Sequence, residues 1–454
     1  MSSKSLQLIT TAALLLGSSA AFAIPFGSFD TRSMAMGGAG VAVGGPDAAP
    51  LFNPALLSVS KEEDDFALIL PTIGVRVADP DKLIDSVDKF NSGKYIQTLD
   101  SSINAPVTGL NAAIAAFNAN PNPTTLAAMQ TAAGAVGTNL NNVSTQLSTL
   151  SNKPITVDGG VATVVGIPSK KFGVAFYANA AVATGGIFKY NDAATISALA
   201  AQATCLASAT TPAAVTLCGT ITFNNNTTLT SGINFKGVAL GEFGFSLSRV
   251  FNIANHDIAL GITPKIIKAQ LFDAQLKIND SNSQSNVTGA DFLAEYSLVN
   301  FDLGAAKNYS NGWRTGFVIK NVIPQTLDFK NVHGGAPSGS TPTPTGEQLT
   351  LKPQARIGVS HANSWSTVAL DVDLTRNDPA GFENATQYVA LGGELNAFDW
   401  AQLRAGYRVD MVNSARNVTS VGLGFSPFGV AHADLAVAGN ATEIGLSFQL
   451  GIHF

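Results

Sequence analysis

The chain has 454 residues, of which 13% are charged and 46% are hydrophobic, and its formal net charge at pH 7 is −5. Soluble proteins are about 25% charged, so this chain is poor in charge, and its acidic balance excludes a protein whose main role is to grip nucleic acid. Two cysteines are too few for a disulfide scaffold or a cysteine-rich zinc site. What remains is a large, glycine-rich chain that is somewhat too apolar for water.

The first 23 residues have the features of a secretory signal peptide. Lys4 supplies a positive region, Leu6 to Leu16 form an apolar segment, and Ala21-Phe22-Ala23 is an A-x-A cleavage site. We therefore expect cleavage after Ala23. The sequence that follows lacks a run of about 18–20 apolar residues, which a membrane helix needs. Since a bilayer admits only helices and closed barrels, an exported, apolar chain of this kind predicts a transmembrane β-barrel in the outer membrane of a Gram-negative cell.

Residues 24–60 precede the first predicted strand. Met34 to Val43 are small and apolar and carry no charge, which a water-exposed tail has no reason to be. Asn53-Pro54 predicts an extended turn, because proline restrains both its own backbone and that of the residue before it. The glycines here do not form a phosphate loop, since a third glycine and a Lys-Ser/Thr pair are missing.

Fourteen segments with alternating apolar and polar residues predict the strands of a barrel over residues 61–454. They lie near 66–77, 155–167, 172–183, 233–249, 256–270, 288–305, 312–321, 353–361, 365–374, 387–396, 400–409, 417–425, 430–437 and 442–454. The number is even, as in bacterial barrels, and short and long connections alternate. The long connections, at 78–154, 184–232, 271–287 and 322–352, are expected outside the cell.

The first long connection contains a predicted helical insertion at 79–153. Leu110–Phe117 and Thr124–Val136 have helical composition and are separated by two prolines, so we expect two or three short helices. They form either a plain surface insertion or an element that docks a partner. Cys205 and Cys218, in the second long connection, are expected to form a disulfide, because exported proteins meet oxidising conditions; their spacing excludes a C-x-x-C redox motif.

The last strand gives the clearest local pattern. Ile444, Leu446, Phe448, Leu450, Ile452 and Phe454 share one parity and smaller or polar residues the other. The alternative is a sandwich strand with one wet face. A terminal aromatic residue is similar to the end of bacterial outer-membrane barrels, which marks Phe454 as an expected signal for the barrel-assembly machinery. An arginine at Leu446 or Phe448 should destabilise a barrel, and the same change at Ser447 should be mild.

Charged residues on the polar parity of neighbouring strands predict a ladder that faces the lumen: Arg356, Asp371, Asp373, Glu394, Arg404 and Arg408. Asp371 and Asp373 alone also suggest a metal site or paired acid–base groups. The sequence lacks the H-E-x-x-H and G-x-S-x-G motifs and a Cys/His cluster. We therefore expect no catalytic site, metal site or cofactor, and an outer-membrane enzyme is the less favoured alternative.

Two resemblances add to this interpretation. The segment around residues 32–43 and 51–55 resembles the start of FadL-type outer-membrane barrels, and this implies a hatch inside a fourteen-stranded barrel that includes Met36, Gly37, Gly38, Gly40, Asn53 and Pro54. The carboxyl-terminal half is similar to TraF-type conjugal-transfer proteins of the same architecture. The matching segments are 320–324, 353–356, 369–377, 402–408 and 422–429. The absence of a paired redox motif separates this chain from the thioredoxin-like protein that shares the TraF name.

The resemblances imply two classes of function. One is a porin-like passive transporter that admits hydrophobic small molecules past a movable hatch. The other is an accessory component of a conjugation or secretion apparatus that acts through its external loops. The expected partners are outer-membrane lipid and the assembly machinery in both cases, with either hydrophobic small molecules or conjugation components, and direct nucleic-acid binding is not expected.

Overall fold

Fourteen strands form a closed antiparallel barrel, as predicted. The computed structural model describes residues 29–60, 65–86, 103–223, 230–277, 293–331, 343–377, 385–397, 400–427 and 429–453. β1 pairs with both β2 and β16, which closes the sheet on itself. The barrel strands are β1 (Ala67–Ala78), β2 (Pro154–Ile167), β3 (Gly173–Lys189), β4 (Gly232–Ile253), β5 (His256–Lys277), β6 (Leu293–Asn308), β7 (Trp313–Lys320), β10 (Gln354–Ala362), β11 (Ser366–Asp373), β12 (Tyr388–Ala397), β13 (Ala401–Asp410), β14 (Val418–Phe425), β15 (Ala431–Gly439) and β16 (Glu443–His453).

The alternation in β16 separates an outer from an inner face. Ile444, Leu446 and Phe448 are 55%, 45% and 44% exposed, whereas Ser447 and Gln449 are 3% and 1% exposed. Large apolar side chains point outward on the neighbouring strands too, among them Leu403, Val421, Leu423 and Leu435. The barrel therefore presents an apolar outer belt, as a transmembrane barrel requires, and keeps its polar parity inside.

All three tryptophans lie at the end of the barrel that carries the short turns. Trp313 begins β7, Trp365 precedes β11 and Trp400 precedes β13, and each is at least 45% exposed. Amphipathic aromatic rings concentrate at the boundary between lipid and water. These residues therefore mark the membrane boundary at the short-turn end.

An arginine in the middle of the outer belt should be costly. We expect Phe448→Arg to lower the free energy of unfolding in phospholipid vesicles by about 2–4 kcal/mol, because the charge lies near the bilayer midplane. Ile444→Arg, on the same face but near the strand end, should cost only about 0–1 kcal/mol. Equal losses for the two variants would contradict a membrane-spanning orientation of β16.

The structure contradicts the reason for expecting a mild effect of arginine at Ser447, which was a free inward position. The Ser447 hydroxyl donates to the Phe29 carbonyl oxygen at 2.6 Å and lies 2.7 Å from the Thr31 hydroxyl. Both partners belong to the chain that enters the barrel, so the position is filled. The sequence pattern distinguishes inward from outward residues but does not show which inward residues are covered.

The wall has unequal height. β4 and β5 each have 22 residues and β14 has eight, whereas about 9–11 tilted residues span a bilayer. β3 and β5 continue to Lys189 and Lys277, beyond the predicted ends at 183 and 270. The predicted loop at 322–352 also contains a hairpin, β8 (Gln325–Asn331) and β9 (Thr343–Leu351), which forms a separate two-stranded sheet.

Four helices form a packed unit at the long-loop end. α3 (Ala105–Ala119) and α4 (Pro123–Leu150) come from the connection after β1, and α5 (Ala193–Ser208) and α6 (Pro212–Cys218) come from the connection after β3. The break between α3 and α4 lies at the predicted prolines, where Asn122 caps α4 by accepting from the Thr124 and Thr125 amides. Within the described part of the chain, these and the other helices are too short or too polar to cross a membrane.

The helical unit has its own apolar core, and the second connection contributes helices that the sequence analysis did not predict. Leu110, Met129, Leu140, Ile196 and Leu206 are fully buried in this core. α4 has 28 residues and is therefore much longer than the short helices predicted for this connection.

Asp192 fixes the start of the second pair of helices. Its carboxylate accepts hydrogen bonds from the backbone and hydroxyl groups of Thr230 and Ser231. Burial alone would raise the pKa of Asp192, but the bonds from Ser231 and Thr230 outweigh this effect and hold the pKa below its ordinary value. The carboxylate is therefore ionised at neutral pH and joins the two ends of this connection.

Cys205 of α5 and Cys218 of α6 form a disulfide, with 5.6 Å between their Cα atoms. We expect Cys205→Ser to destabilise the helical unit by on the order of 3 kcal/mol, because the unfolded chain without the cross-link has more conformational freedom. Limited proteolysis during thermal unfolding would measure this, and Cys218→Ser should cost the same with no further loss in the double variant.

Mass spectrometry of the untreated protein should show the two cysteine peptides linked, and two free thiols would contradict the pairing.

Candidate functional site

Residues 29–60, which we call the hatch segment, lie inside the barrel. The segment forms α1 (Thr31–Ala35), α2 (Ala49–Phe52) and a 3₁₀ helix (Pro54–Ser58). Asp30 caps α1 by accepting from the Ser33 amide at 2.7 Å. Asn53 is extended, with φ −150° and ψ 106°, and caps the 3₁₀ helix by accepting from the Ala55 amide at 3.1 Å. Short capped turns let the backbone follow the curved inner wall.

Inward-facing glycines of the wall make room for the hatch segment. A Cβ added to Gly304 would lie 2.1 Å from Asn53 Oδ1, and one added to Gly406 would lie 2.1 Å from the amide nitrogen of Gly37. We call the glycines with such contacts below 2.6 Å the glycine girdle: Gly74, Gly160, Gly261, Gly304, Gly316, Gly392, Gly406 and Gly422. The segment therefore fits a wall that carries no side chain at these eight positions.

The girdle can be tested with adjacent residues of β12. A Cβ at Gly392 would lie 2.4 Å from the Met36 Cβ, whereas a Cβ at Gly393 meets nothing within 4 Å. We expect Gly392→Val to displace the hatch segment, because overpacking costs about 1–3 kcal/mol, and so to raise ion conductance in planar bilayers. Gly393→Val should leave conductance unchanged. Similar behaviour of the two variants would contradict the contact.

Wall side chains also bind the backbone of the hatch segment. Asp371 accepts from the amides of Gly40 and Val41 at 2.8 and 2.9 Å, and Arg356 donates to the Gly38 carbonyl oxygen at 3.2 Å. Ser420 donates to the Ala35 carbonyl oxygen at 2.9 Å. Because buried backbone groups need partners, these bonds allow an irregular segment to be buried within the barrel.

Asn53 connects two parts of the hatch segment to the wall. Its amide nitrogen donates to the carbonyl oxygens of Val41 and Ala305, both at 3.1 Å. The residue is fully buried, and Gly304 leaves space for its oxygen. Asn53 is thus held by contacts on all of its polar atoms.

The predicted lumen ladder divides among several partners. Glu394 accepts from Arg404 at 2.7 Å and from Arg32 of the hatch segment through both carboxylate oxygens, at 2.7 and 2.8 Å. Arg404 also pairs with Asp434. Charge-assisted, bidentate pairs are among the stronger hydrogen bonds, so Glu394 anchors α1 to β12.

The other ladder residues form separate pairs. Arg356 pairs with Asp373 at 2.5 Å, and Arg408 pairs with Glu443 at 3.0 Å. Asp371 and Asp373 therefore serve different partners, one the hatch backbone and the other an arginine. In the described residues, the structure has no group of three or more His, Cys, Asp or Glu side chains placed to hold a metal ion.

A buried ionic cluster between β4 and β7 was not predicted from the sequence. It consists of Glu242, Lys265, Asp302 and Lys320, all at most 9% exposed. The Lys265 ammonium lies 2.9 Å from Glu242 and 3.0 Å from Asp302. The Lys320 ammonium donates to the Leu51 carbonyl oxygen of the hatch segment at 2.9 Å. The cluster thus links the wall to the hatch segment at a second place, on β7 rather than on β12.

Above the ionic cluster, toward the long loops, the inner face of β3 to β6 is apolar. We call this surface the apolar seat: Ala181, Ala183, Val238, Leu240, Ile267, Ala269, Leu271 and Ala294. Phe29, at the start of the hatch segment, packs against it. The seat gives the lumen an apolar surface that borders both the ionic cluster and the hatch segment.

Aromatic rings line the outer face of the wall next to the ionic cluster. A pocket of about 580 Å³ lies there between the outward rings of Phe176 and Phe243. The Tyr177 ring fills the space above Gly244, 2.1 Å from where a Cβ would be. The β4–β5 pairing is interrupted beside Pro264, which has no amide hydrogen to donate.

The signal peptide with its cleavage site at Ala23, and the terminal Phe454, lie outside the described residues, so their roles stay predictions. The glycine girdle and the ionic cluster were missed for different reasons. The sequence contains one feature that could have indicated the girdle, because its glycines all lie at inward-facing positions of their strands. Lys265 and Asp302 share that parity too, but as single charges they resembled ordinary lumen polarity.

The family whose description reads "F plasmid transfer operon, TraF, protein" matches residues 50–373. The chain belongs to this family. In this TraF-family protein the matched range begins in α2 of the hatch segment and ends with β11, so it includes the ionic cluster, the apolar seat and both helical connections. Among curated proteins, no sequence matches this member of the family.

Several solved structures are similar to this TraF-family protein. The CymD monoaromatic hydrocarbon channel is 10% identical with a TM-score of 0.48, over 95% of this chain and 99% of that one. A FadL homologue of Pseudomonas aeruginosa is 12% identical with a TM-score of 0.48, over 96% and 99%. The toluene transporter TodX of P. putida is 11% identical with a TM-score of 0.46, over 93% and 98%.

Proposed function

We propose that the protein is a channel of the outer membrane that lets hydrophobic small molecules cross by passive diffusion, with the hatch segment as its movable plug. The observation that carries the proposal is the pairing of an apolar seat with a fitted hatch segment in one lumen. A fourteen-stranded barrel is wide enough to leave a passage when its interior is not filled. Side chains of the wall hold the segment by noncovalent bonds, which can rearrange without an energy source.

The order of surfaces in the lumen supports an apolar cargo. From the long-loop end, a molecule would meet the apolar seat, which side chains of the β8–β9 hairpin cover, before it meets the hatch segment. The seat is lined by alanine and aliphatic side chains, so it has little to offer an ion or a sugar. Apolar transfer into such a surface is favourable by about 25 cal/mol per Å².

Uptake of two probes into intact cells tests the proposal. N-phenylnaphthylamine is uncharged and apolar, and lipopolysaccharide excludes it until it reaches inner phospholipid, where it fluoresces. Nitrocefin is polar, and a periplasmic β-lactamase reports its entry. We expect a Gram-negative host that expresses the protein to take up N-phenylnaphthylamine several-fold faster than a host with the empty vector, with unchanged nitrocefin hydrolysis. Equal uptake of the apolar probe would overturn the channel proposal.

A second candidate function is an accessory role in conjugation, through the helical unit. Membership of the transfer-operon family favours it, and so does the surface of that unit. Residues 101–152 and 193–235 contain no Asp, Glu, Lys or Arg, whereas protein surfaces are usually about 25–35% charged. Replacing residues 105–150 by a short linker should lower mating frequency if this candidate is right. Unchanged mating frequency, with the barrel still assembled, would reject it.

The location and assembly of the protein are part of the proposal. Export by the predicted signal peptide would deliver the chain to the periplasm, and the barrel-assembly machinery would insert it, with Phe454 as the recognition residue. The tryptophans at the short-turn end would then face the periplasm. We include no catalytic step, cofactor or direct contact with nucleic acid.

A further inference from the structure

The connection between β7 and β10 is longer than the barrel requires. β7 and β10 pair directly, with Lys320 opposite Gln354, so a tight turn would suffice to join them. The chain instead forms the β8–β9 hairpin, which is separate from the barrel sheet. An element that the wall does not need is a candidate for a moving part.

The hairpin fills the apolar seat. Four of its side chains, Leu327, Phe329, Leu349 and Leu351, are at most 7% exposed and belong to the same apolar cluster as the seat. Four of the eight seat residues are alanines, so large side chains of the hairpin pack into spaces left by small ones. A two-stranded hairpin alone is marginally stable in water. Its position therefore depends on the seat.

One tyrosine clamps the hairpin to the wall. The Tyr296 hydroxyl of β6 donates to the Asp328 carbonyl oxygen at 2.8 Å and accepts from the Asp328 amide at 3.1 Å. These bonds add direction to an otherwise apolar contact. Such a contact suits an element that binds in one orientation and can also be released.

The base of the hairpin is fixed at residues 320–324, one of the segments that resemble TraF-type proteins. Asn321 has a positive φ of 54°, and its amide donates to Asp302 at 2.8 Å. The Asn300 side chain bonds both the amide and the carbonyl oxygen of Ile323, at 3.0 and 2.8 Å. This elbow turns the chain away from β7 and holds the root of the hairpin while its body lies on the seat.

Two contacts connect the hairpin region to the hatch segment. Phe29 packs against the same apolar cluster as the hairpin. Lys320, at the start of the elbow, donates to Leu51 of the hatch segment. A change in the position of the hairpin would therefore alter two contacts of the hatch segment. One is the apolar packing of Phe29, and the other is the hydrogen bond from Lys320 to Leu51.

We propose that the β8–β9 hairpin is a lid, a second gate above the hatch segment, and that the apolar seat beneath it is the binding site for an uncharged apolar molecule that displaces it. This inference rests on the proposed channel function. In the absence of cargo, the lid's own leucines and phenylalanine occupy the site. A molecule that binds the seat and not the lidded state shifts the equilibrium toward the open lid.

Truncating the lid is the first test. Gln325 lies opposite Leu351 in the hairpin, so residues 325–351 can be replaced by a two-residue Asn-Gly turn with the elbow left in place. We expect the truncated protein to take up N-phenylnaphthylamine at least about threefold faster than the full chain, because the probe no longer competes with the lid. Nitrocefin hydrolysis should stay at the level of the full chain, because the hatch segment is intact.

Point variants control for the truncation. Leu327→Ser with Phe329→Ser weakens the lid on its seat face and should also speed uptake, whereas Thr326→Ser, on the exposed face, should not. The full chain could speed uptake relative to the empty vector while the truncated and Leu327/Phe329 variants bring no further change. That result would overturn the proposal of a lid but not the channel function. No uptake above the empty vector in any variant would overturn the channel function and the lid with it.

A fluorescent reporter tests displacement directly. The native tryptophans all lie at the short-turn end, so Phe329→Trp would add a probe within the seat. On titration of the purified protein with toluene, we expect its emission to shift to the red as the lid leaves the seat. Thr326→Trp, which starts exposed, should show little shift. Toluene binding measured by calorimetry with no change in the Phe329→Trp emission would overturn the displacement.

Discussion

Deletion of residues 29–60 is expected to convert the protein into an open pore. A barrel of fourteen strands without a plug leaves a water-filled lumen, so single-channel conductance in planar bilayers should rise by about tenfold or more. The barrel itself should still fold, because its strands pair with each other and its outer belt faces lipid. Nitrocefin hydrolysis in cells should rise in parallel, which separates this variant from the truncated lid.

Single contacts allow a graded version of the same experiment. Asp371→Ala removes the acceptor for the Gly40 and Val41 amides, and Arg32→Ala removes the bidentate pair with Glu394. Each should give brief openings rather than a permanent pore, since the glycine girdle and Asn53 still hold the segment. Heat-modifiable migration on gels would verify that the barrel is folded. Unchanged conductance in the folded deletion variant would show that residues 29–60 do not plug the lumen.

The barrel could be predicted from sequence because its main determinant is local. A strand that spans lipid needs one apolar face, so the alternation in β16 indicates both the strand and its orientation without knowledge of the neighbouring strands. The even count and the alternation of loop lengths then predict closure. Strand ends were less well predicted where β3 and β5 rise above the membrane, because lipid no longer imposes the alternation there.

The contacts of the hatch segment could not be predicted residue by residue. Its uncharged composition indicated burial, but the place of Asn53 beside Gly304 depends on how two segments about 250 positions apart are registered. The predicted lumen ladder did not show which of its residues bind the hatch backbone. In the structure Arg404 pairs with Glu394 and Asp434 and Arg408 with Glu443, while Asp371, Arg356 and Ser420 bind the backbone.

The β8–β9 hairpin was missed because its sequence resembles a loop. The connection contains repeated Pro, Gly, Ser and Thr between residues 335 and 346, and these residues usually mark turns. Leu327, Phe329, Leu349 and Leu351 alternate with polar residues over segments too short to span a membrane. Their strand character depends on the seat supplied by β3 to β6, which lies elsewhere in the chain.

The ionic cluster leads to the second large expected effect, the loss of stability in Lys265→Met. The Lys265 side chain is fully buried between Glu242 and Asp302. Removing one partner of a buried ion pair leaves uncompensated charge and typically costs about 3–5 kcal/mol. We expect that loss in the free energy of unfolding, measured by denaturant titration in phospholipid vesicles.

Lys268 is the matched control for Lys265, because it lies three residues further along β5 on the opposite, exposed face. Its side chain is exposed and donates to Ser297 at 2.6 Å, so Lys268→Met should change stability by no more than about 0.5 kcal/mol. Adding Glu242→Gln to Lys265→Met should recover much of the loss, because the cluster then keeps one carboxylate, Asp302, and one ammonium group, Lys320, and glutamine can still form hydrogen bonds. Equal stability of the Lys265 and Lys268 variants would mean that water reaches the cluster and screens its charges. The cluster would then line a wet passage rather than form the buried link between wall and hatch segment.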